Sequence, residues 1–202
     1  MRIYRTEREN NALIFEGVMT SVKFQPVLNV KIRYEIFSEE IKCSLEYTKN
    51  KNFSSLPRIG FACELDKTFD SVEWLGYGKE QSYVDMHNSN ASGYFSDKVE
   101  DQYFHYAKPQ ENGSHYGTEY MSVTDGTNSV SVYGKFSFSA LPYSAMEIAG
   151  ATHDYLLPES SKTHLSIDYQ MRGIGSFSCG PLLKEKYWVD DNGKFSFVLQ
   201  VK

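Results

Sequence analysis

The chain has 202 residues and a formal net charge of −5, from 26 acidic and 21 basic side chains. That balance offers no basic footprint for nucleic acid, whose binding needs Lys and Arg to neutralise phosphates. No apolar run approaches the roughly 20 residues that span a bilayer, and the charged start, Met1 to Arg8, lacks an apolar signal core, which predicts a cytoplasmic protein with no membrane partner.

Period-two alternation runs through the chain and predicts strands with one apolar face. Val30, Ile32, Tyr34 and Ile36 alternate with Lys31, Arg33 and Glu35, and Ile41, Cys43, Leu45 and Tyr47 repeat the pattern. Residues 48–56 are the most linker-like stretch. They read as a hairpin or a sheet-crossing loop, because a domain split there leaves an N-terminal piece too small for a good core. Ile59, Phe61, Cys63 and Leu65 form the next set. Gly76, Tyr77 and Gly78 follow Trp74 and read as a chain reversal; a phosphate loop needs a helix and a Gly-Lys-Ser/Thr that are missing here.

Val130 with Val132, then Phe136 with Phe138, predict a later strand, and Tyr143 to Gly150 a short helix. Leu165, Ile167 and Tyr169, then Phe195, Phe197, Leu199 and Val201, predict the last two strands. Leu56-Pro57, Asn112-Gly113, Asp125-Gly126 and Asn192-Gly193 read as turns. With 15 Tyr and 13 Phe, side chains that pack well on half-buried sheets, the pattern predicts one all-β antiparallel domain, a sandwich or a larger twisted double sheet.

The chemistry-bearing residues form no self-contained catalytic set. Cys43, Cys63 and Cys179 are odd in number and widely spaced, unlike a disulfide framework or a zinc site. Cys43 and Cys63 fall on apolar strand phases, where a small thiol is expected to be buried. His87, His105, His115, His153 and His164 show no metal-ligand spacing, so neither a metal nor another cofactor is expected in this chain. Glycoside hydrolysis needs two carboxylates flanking one bond. Glu73, Glu80, Asp85, Glu100, Asp101, Glu111 and Glu119 lie near turns but read as solvated loop or sheet-face charges. His115 can hydrogen-bond a sugar hydroxyl or hold its own loop, and the habit of turn polar groups to satisfy nearby backbone favours the second. Tyr94, Tyr103, Tyr106 and Tyr116 flank the polar loops, where rings serve sugar stacking or sheet filling.

Several motifs in one order carry a resemblance. Trp74-Leu-Gly-Tyr-Gly78 is followed by Tyr83 and Asp85; Asp101, Gln102, Tyr103 and Tyr106 precede Pro109-Gln-Glu-Asn-Gly113. Phe136 to Ala140, Tyr143 and Ala151 to His153 follow, then Ile167 to Gln170, Gly173-Ile-Gly175 and Ser178-Cys-Gly-Pro181. From about residue 25 to the last residue the chain resembles the C-terminal domain of the family 2 glycoside hydrolase β-galactosidases. The resemblance departs at Lys79, where the family has Pro, at Gln81, where it has Glu, and at Gly117, where a subgroup often has Asp.

The resemblance implies an antiparallel β supersandwich of the galactose-mutarotase-like type. It implies a non-catalytic domain of an oligomeric retaining β-galactosidase, whose two catalytic glutamates sit on a (β/α)₈ barrel in another domain or in a large subunit. The full domain is usually longer than 202 residues, which implies a chain beginning inside it. The implied ligand is a galactoside with a terminal β-D-galactose, such as lactose. The residues placed beside substrate are Phe177, Ser178, Cys179, Glu111, Asn112, His115 and Tyr116. In the best-known members a Trp in the place of Cys179 stacks on the sugar of the outer subsite; a subgroup carries Ser-Cys-Gly-Pro, and Phe177 can supply a ring instead. Two rival readings stand beside this one. A free-standing carbohydrate-binding module needs an exposed aromatic platform. An aldose 1-epimerase-like protein needs an acid/base pair across the sugar ring, and its His and Glu motifs are not recognisable here.

Overall fold

A computed structural model describes residues 1–23, 25–175 and 181–202. The alternating segments become eleven strands among these residues, every pairing antiparallel. Four form a meander: β1 (Arg2–Glu9), β2 (Ala12–Met19), β3 (Leu28–Ile36) and β4 (Glu40–Lys49). Residues 50–57 then carry the chain to β5 (Arg58–Asp66), which leads to β6 (Ser71–Tyr77), β7 (Ser92–Lys98), β8 (His115–Thr124) and β9 (Ser129–Leu141). The one α-helix among the described residues, α1 (Ala145–Gly150), precedes β10 (Lys162–Met171) and β11 (Asn192–Val201). The helix starts where Ser144 and Glu147 form a reciprocal capping box, which satisfies two orphan donors of its first turn.

The long strand β9 is where the sheet forks. One edge of β9 pairs with β8; the other pairs with β11 over Val130–Gly134 and with β10 over Ser137–Leu141. One branch continues as β11-β4-β3-β2-β1 and the other as β10-β5. The branches meet face to face through aromatic rings: Tyr34 with Phe61 at 6.3 Å, Tyr47 with Tyr169 at 6.4 Å and Phe61 with Phe197 at 5.2 Å. Such edge-to-face pairs suit the ring quadrupole. The expected all-β antiparallel sandwich is therefore the fold, and its core runs from Leu28 and Val30 through Trp74, Met121 and Phe138 to Phe195 and Phe197.

Three local expectations are corrected. Cys63 is exposed while Cys43 is buried; Cys63 lies on β5, which among the described residues pairs only with β10. Ile36 and Val201, the last members of their alternating sets, are exposed at strand ends. Asn192-Gly193 makes no hairpin turn but opens β11 opposite Thr48 and Tyr47. Glycine stands there because a Cβ would lie 2.7 Å from the Tyr169 ring. Asp125-Gly126 does join β8 to β9, with Gly126 at φ +88°, a conformation that glycine adopts without penalty.

Candidate functional site

Residues 109–116 form a loop closed by its own side chains. The Asn112 carboxamide oxygen accepts the Phe104 N–H at 3.0 Å, and its nitrogen donates to the Gln110 carbonyl at 2.8 Å. Gly113 has φ +71°, and a Cβ there would stand 2.6 Å from the Gln102 carbonyl oxygen. His115 Nε2 bonds Gln102 Oε1 at 2.5 Å, and the imidazole packs against both Trp74 and Phe138, 4.3 and 5.0 Å away, which also touch each other at 5.8 Å. Burial lowers its pKa to about 4, against a small opposing pull from Asp97, so the ring is neutral near pH 7. Asn112 and His115 have 0% and 1% exposure. Both are side chains that the resemblance sets beside substrate; in this chain they are buried and hold the loop.

Glu111 and Tyr116 keep accessible surface. Arg58 of β5 forms two hydrogen bonds to Asp168 of β10, through Nε to Oδ1 at 3.1 Å and through Nη2 to Oδ2, and lies 3.5 Å from Glu111. Burial pushes the Asp168 carboxyl above its ordinary range while the Arg58 guanidinium pulls it back. Glu111 is raised too, by burial first, with Arg58 opposing and Asp168 adding to the rise. Beside them the Tyr83 hydroxyl is buried with no hydrogen-bond partner among the described residues. Tyr116 lies parallel to Tyr77 at 6.3 Å and 4.8 Å from His87, an aromatic cluster on the far side of the loop.

Phe177, Ser178 and Cys179 lie outside the described residues. The turn leading to them is described. Gly173 N–H donates to the Tyr187 carbonyl at 3.1 Å, and the Ile174 and Gly175 N–H groups donate to the Asp85 carboxylate. A cleft of about 240 Å³ lies beside the first loop, walled by the segments on either side of the second. Ser114 and Tyr116 line it from the first loop, Tyr169, Gln170 and Met171 from the end of β10, and Lys186, Tyr187 and Trp188 from beyond the second loop. The Arg172 guanidinium lies 5.6 Å over the Trp188 ring, a cation–π contact that steadies one wall.

The described residues lining this cleft include four tyrosines and a tryptophan but no Asp or Glu. It can stack an apolar sugar face and bond hydroxyls. It lacks the carboxylate pair that glycoside hydrolysis uses. Sequence reasoning gave no site role to Arg58, Asp168, Tyr83 or Trp188, although Tyr83 and Asp168 lie within the motifs that carry the resemblance. The pairing of Arg58 with Asp168 spans 110 residues, and no local pattern announces it.

These features define an antiparallel β domain with an aromatic cleft beside the first loop and no acid among the described residues that line it. The chain belongs to the β-galactosidase small chain family, whose model matches residues 2–200. It is 39% identical over 173 residues to a β-galactosidase of Actinobacillus pleuropneumoniae, covering 85% of this chain and 17% of that protein. With a β-galactosidase of Staphylococcus xylosus it shares 33% over 193 residues, covering 94% of the chain and 19% of that protein. The chain thus spans less than a fifth of the length of these relatives. Similar solved structures include a galactose mutarotase-like protein from Lactobacillus casei, with 6% identity, a TM-score of 0.48, and coverage of 98% of this chain and 72% of that one. No helix among the described residues is long and apolar enough to cross a membrane.

Proposed function

We propose that this chain is a non-catalytic sugar-site domain of a retaining β-galactosidase. The catalytic glutamates lie on a (β/α)₈ barrel in another domain or chain. The assembled enzyme removes terminal β-D-galactose from galactosides such as lactose. Within it, residues 109–116 and 173–181 border the outer sugar subsite, with Tyr116, Glu111 and the chain at 177–179 nearest the ligand. One observation carries the reading: the cleft beside the first loop has aromatic walls and hydroxyl partners but no carboxylate among its described lining. That composition suits sugar binding and leaves the acid/base chemistry to another part of the enzyme.

A second reading, a free-standing carbohydrate-binding module, is favoured by a different surface. Tyr94, Leu75, Tyr120 and Tyr133 stand in register across β7, β6, β8 and β9. Their rings follow one another at 6.4 and 5.1 Å, and Tyr94 is 59% exposed.

The test pairs activity with affinity. The chain alone is expected to release no chromophore from a chromogenic β-galactoside and not to be retained on a galactan column, whereas the chain assembled with its catalytic partner turns the galactoside over. Turnover by the chain alone that one carboxylate substitution abolishes would overturn the proposal. Retention on galactan without a partner, lost in Tyr94→Ala, would favour the second reading.

A further inference from the structure

Asp85 belongs to neither loop; it lies in the segment 78–90 between β6 and β7. Its Oδ1 accepts the Ile174 N–H at 3.1 Å and its Oδ2 the Gly175 N–H at 2.8 Å. A Cβ added to Gly173 would stand 2.5 Å from the same carboxylate, and one added to Gly175 would stand 3.0 Å away. The hydrogen bonds and the missing Cβ atoms are separate observations of one fit. The glycines allow the approach, and the carboxylate fills the space they leave.

The same segment holds the other loop a few residues earlier. Gln81 Oε1 accepts the Gly113 N–H at 2.9 Å, Ser82 N–H donates to the Ser114 carbonyl at 2.7 Å, and Ser82 Oγ accepts the Tyr116 N–H at 2.9 Å. Between these holds and Asp85 the backbone is closed on itself. Tyr83 and Met86 exchange N–H to C=O bonds of 2.9 Å in both directions, and His87 Nδ1 lies 2.9 Å from the Tyr83 carbonyl.

We propose that residues 81–85 are a bracket that sets residues 173–175 against the first loop, and that Asp85 is the positioning residue for Ile174 and Gly175. A carboxylate that receives two backbone N–H groups makes charge-assisted bonds, and two bonds to one planar group fix direction as well as distance. The inference rests on the proposal that the two loops border the sugar subsite. Asp85 then acts on sugar binding without touching the sugar. Its loss weakens ground-state and transition-state binding alike, which raises KM and leaves kcat nearly unchanged.

The experiment has two readouts. In the full 202-residue chain, Asp85→Ala should speed amide exchange at Ile174 and Gly175 at least about tenfold, as expected for amides that lose their acceptor. In the β-galactosidase assembled with this chain, it should raise KM several-fold, up to about tenfold, a factor corresponding to about 1.4 kcal/mol, with kcat changed less than about twofold. Asp85→Asn, which keeps one acceptor oxygen, should fall between. Gly173→Ala should reproduce Asp85→Ala in the native background and add little once Asp85 is Ala, because the shortened side chain makes room for the methyl.

Unchanged exchange in Asp85→Ala would overturn the bracket, as would a Gly173→Ala effect of equal size in both backgrounds. Faster exchange with unaltered KM would leave the bracket intact and overturn the assignment of these loops to the sugar subsite.

Discussion

Residues 109–116 and residues 173–175 are both attached to the segment 78–90, but they are supported differently. Besides its bonds to Gln81 and Ser82, the first loop has supports that are buried: Asn112 closes it on Phe104, Gly113 sits on the Gln102 carbonyl, and His115 packs against both Trp74 and Phe138. The second is gripped from outside, by the Asp85 carboxylate and the Tyr187 carbonyl. A loop whose supports are core residues can be disturbed only by disturbing the core. A loop held at its surface can be released while the sandwich stays folded.

The largest effect on this contrast is expected at Arg58. Arg58→Ala leaves Asp168 buried without its partner beneath the first loop, which should cost about 3–5 kcal/mol. Urea unfolding would show it as a lowered midpoint with an unchanged slope, and a loss below about 1 kcal/mol would mean that the pair is not the anchor.

Acid comes next. His115 has a folded pKa of about 4, below the unfolded value of about 6.5. The unfolded state therefore binds the proton first, and stability is lost as pH falls from about 6.5 to about 4, by roughly 3 kcal/mol in all. His115→Gln should flatten that slope, measured as the unfolding midpoint against pH. A variant with the native slope would assign the acid loss elsewhere.

The smallest effect is a direct comparison of the loops. Asn112→Ala strands a buried N–H and C=O and should cost about 2 kcal/mol, while Asp85→Ala, which opens a half-exposed turn, should cost about 1 kcal/mol or less. Equal losses would erase the distinction between the loops.

Much of the sheet was legible because alternation is local. The sets at 30–36, 41–47, 130–138, 165–169 and 195–201 all lie on strands. The helix near 145 was marked by its residues and confirmed with a cap at Ser144. Burial was less legible than pairing. Cys63 has the phase of a core residue but lies on a strand with one neighbour, and alternation cannot say whether anything covers a face. Asn192-Gly193 has turn chemistry, yet its glycine serves the close passage of a tyrosine ring. Of the site, the loop at 109–116 could be read from its Asn-Gly and His. The Arg58–Asp168 pair and the Asp85 grip could not, since their partners are 110 and about 90 residues apart in sequence and meet only after the fork forms.

That fork also bears on how the chain reaches its fold. β11, formed by residues 192–201, lies in the middle of the sheet between β4 and β9. Until it is inserted, the meander of β1 to β4 has no hydrogen-bonded link to the half built on β9. The joining step brings together residues about 150 positions apart, such as Phe197 and Cys43, and closing so long a loop carries an entropy penalty that rises slowly with length. On a ribosome, the first four strands would emerge and wait with β4 as an open edge, exposed to pairing with other chains. Pairing so distant in sequence raises the contact order of the sheet, which slows folding relative to a meander of the same length.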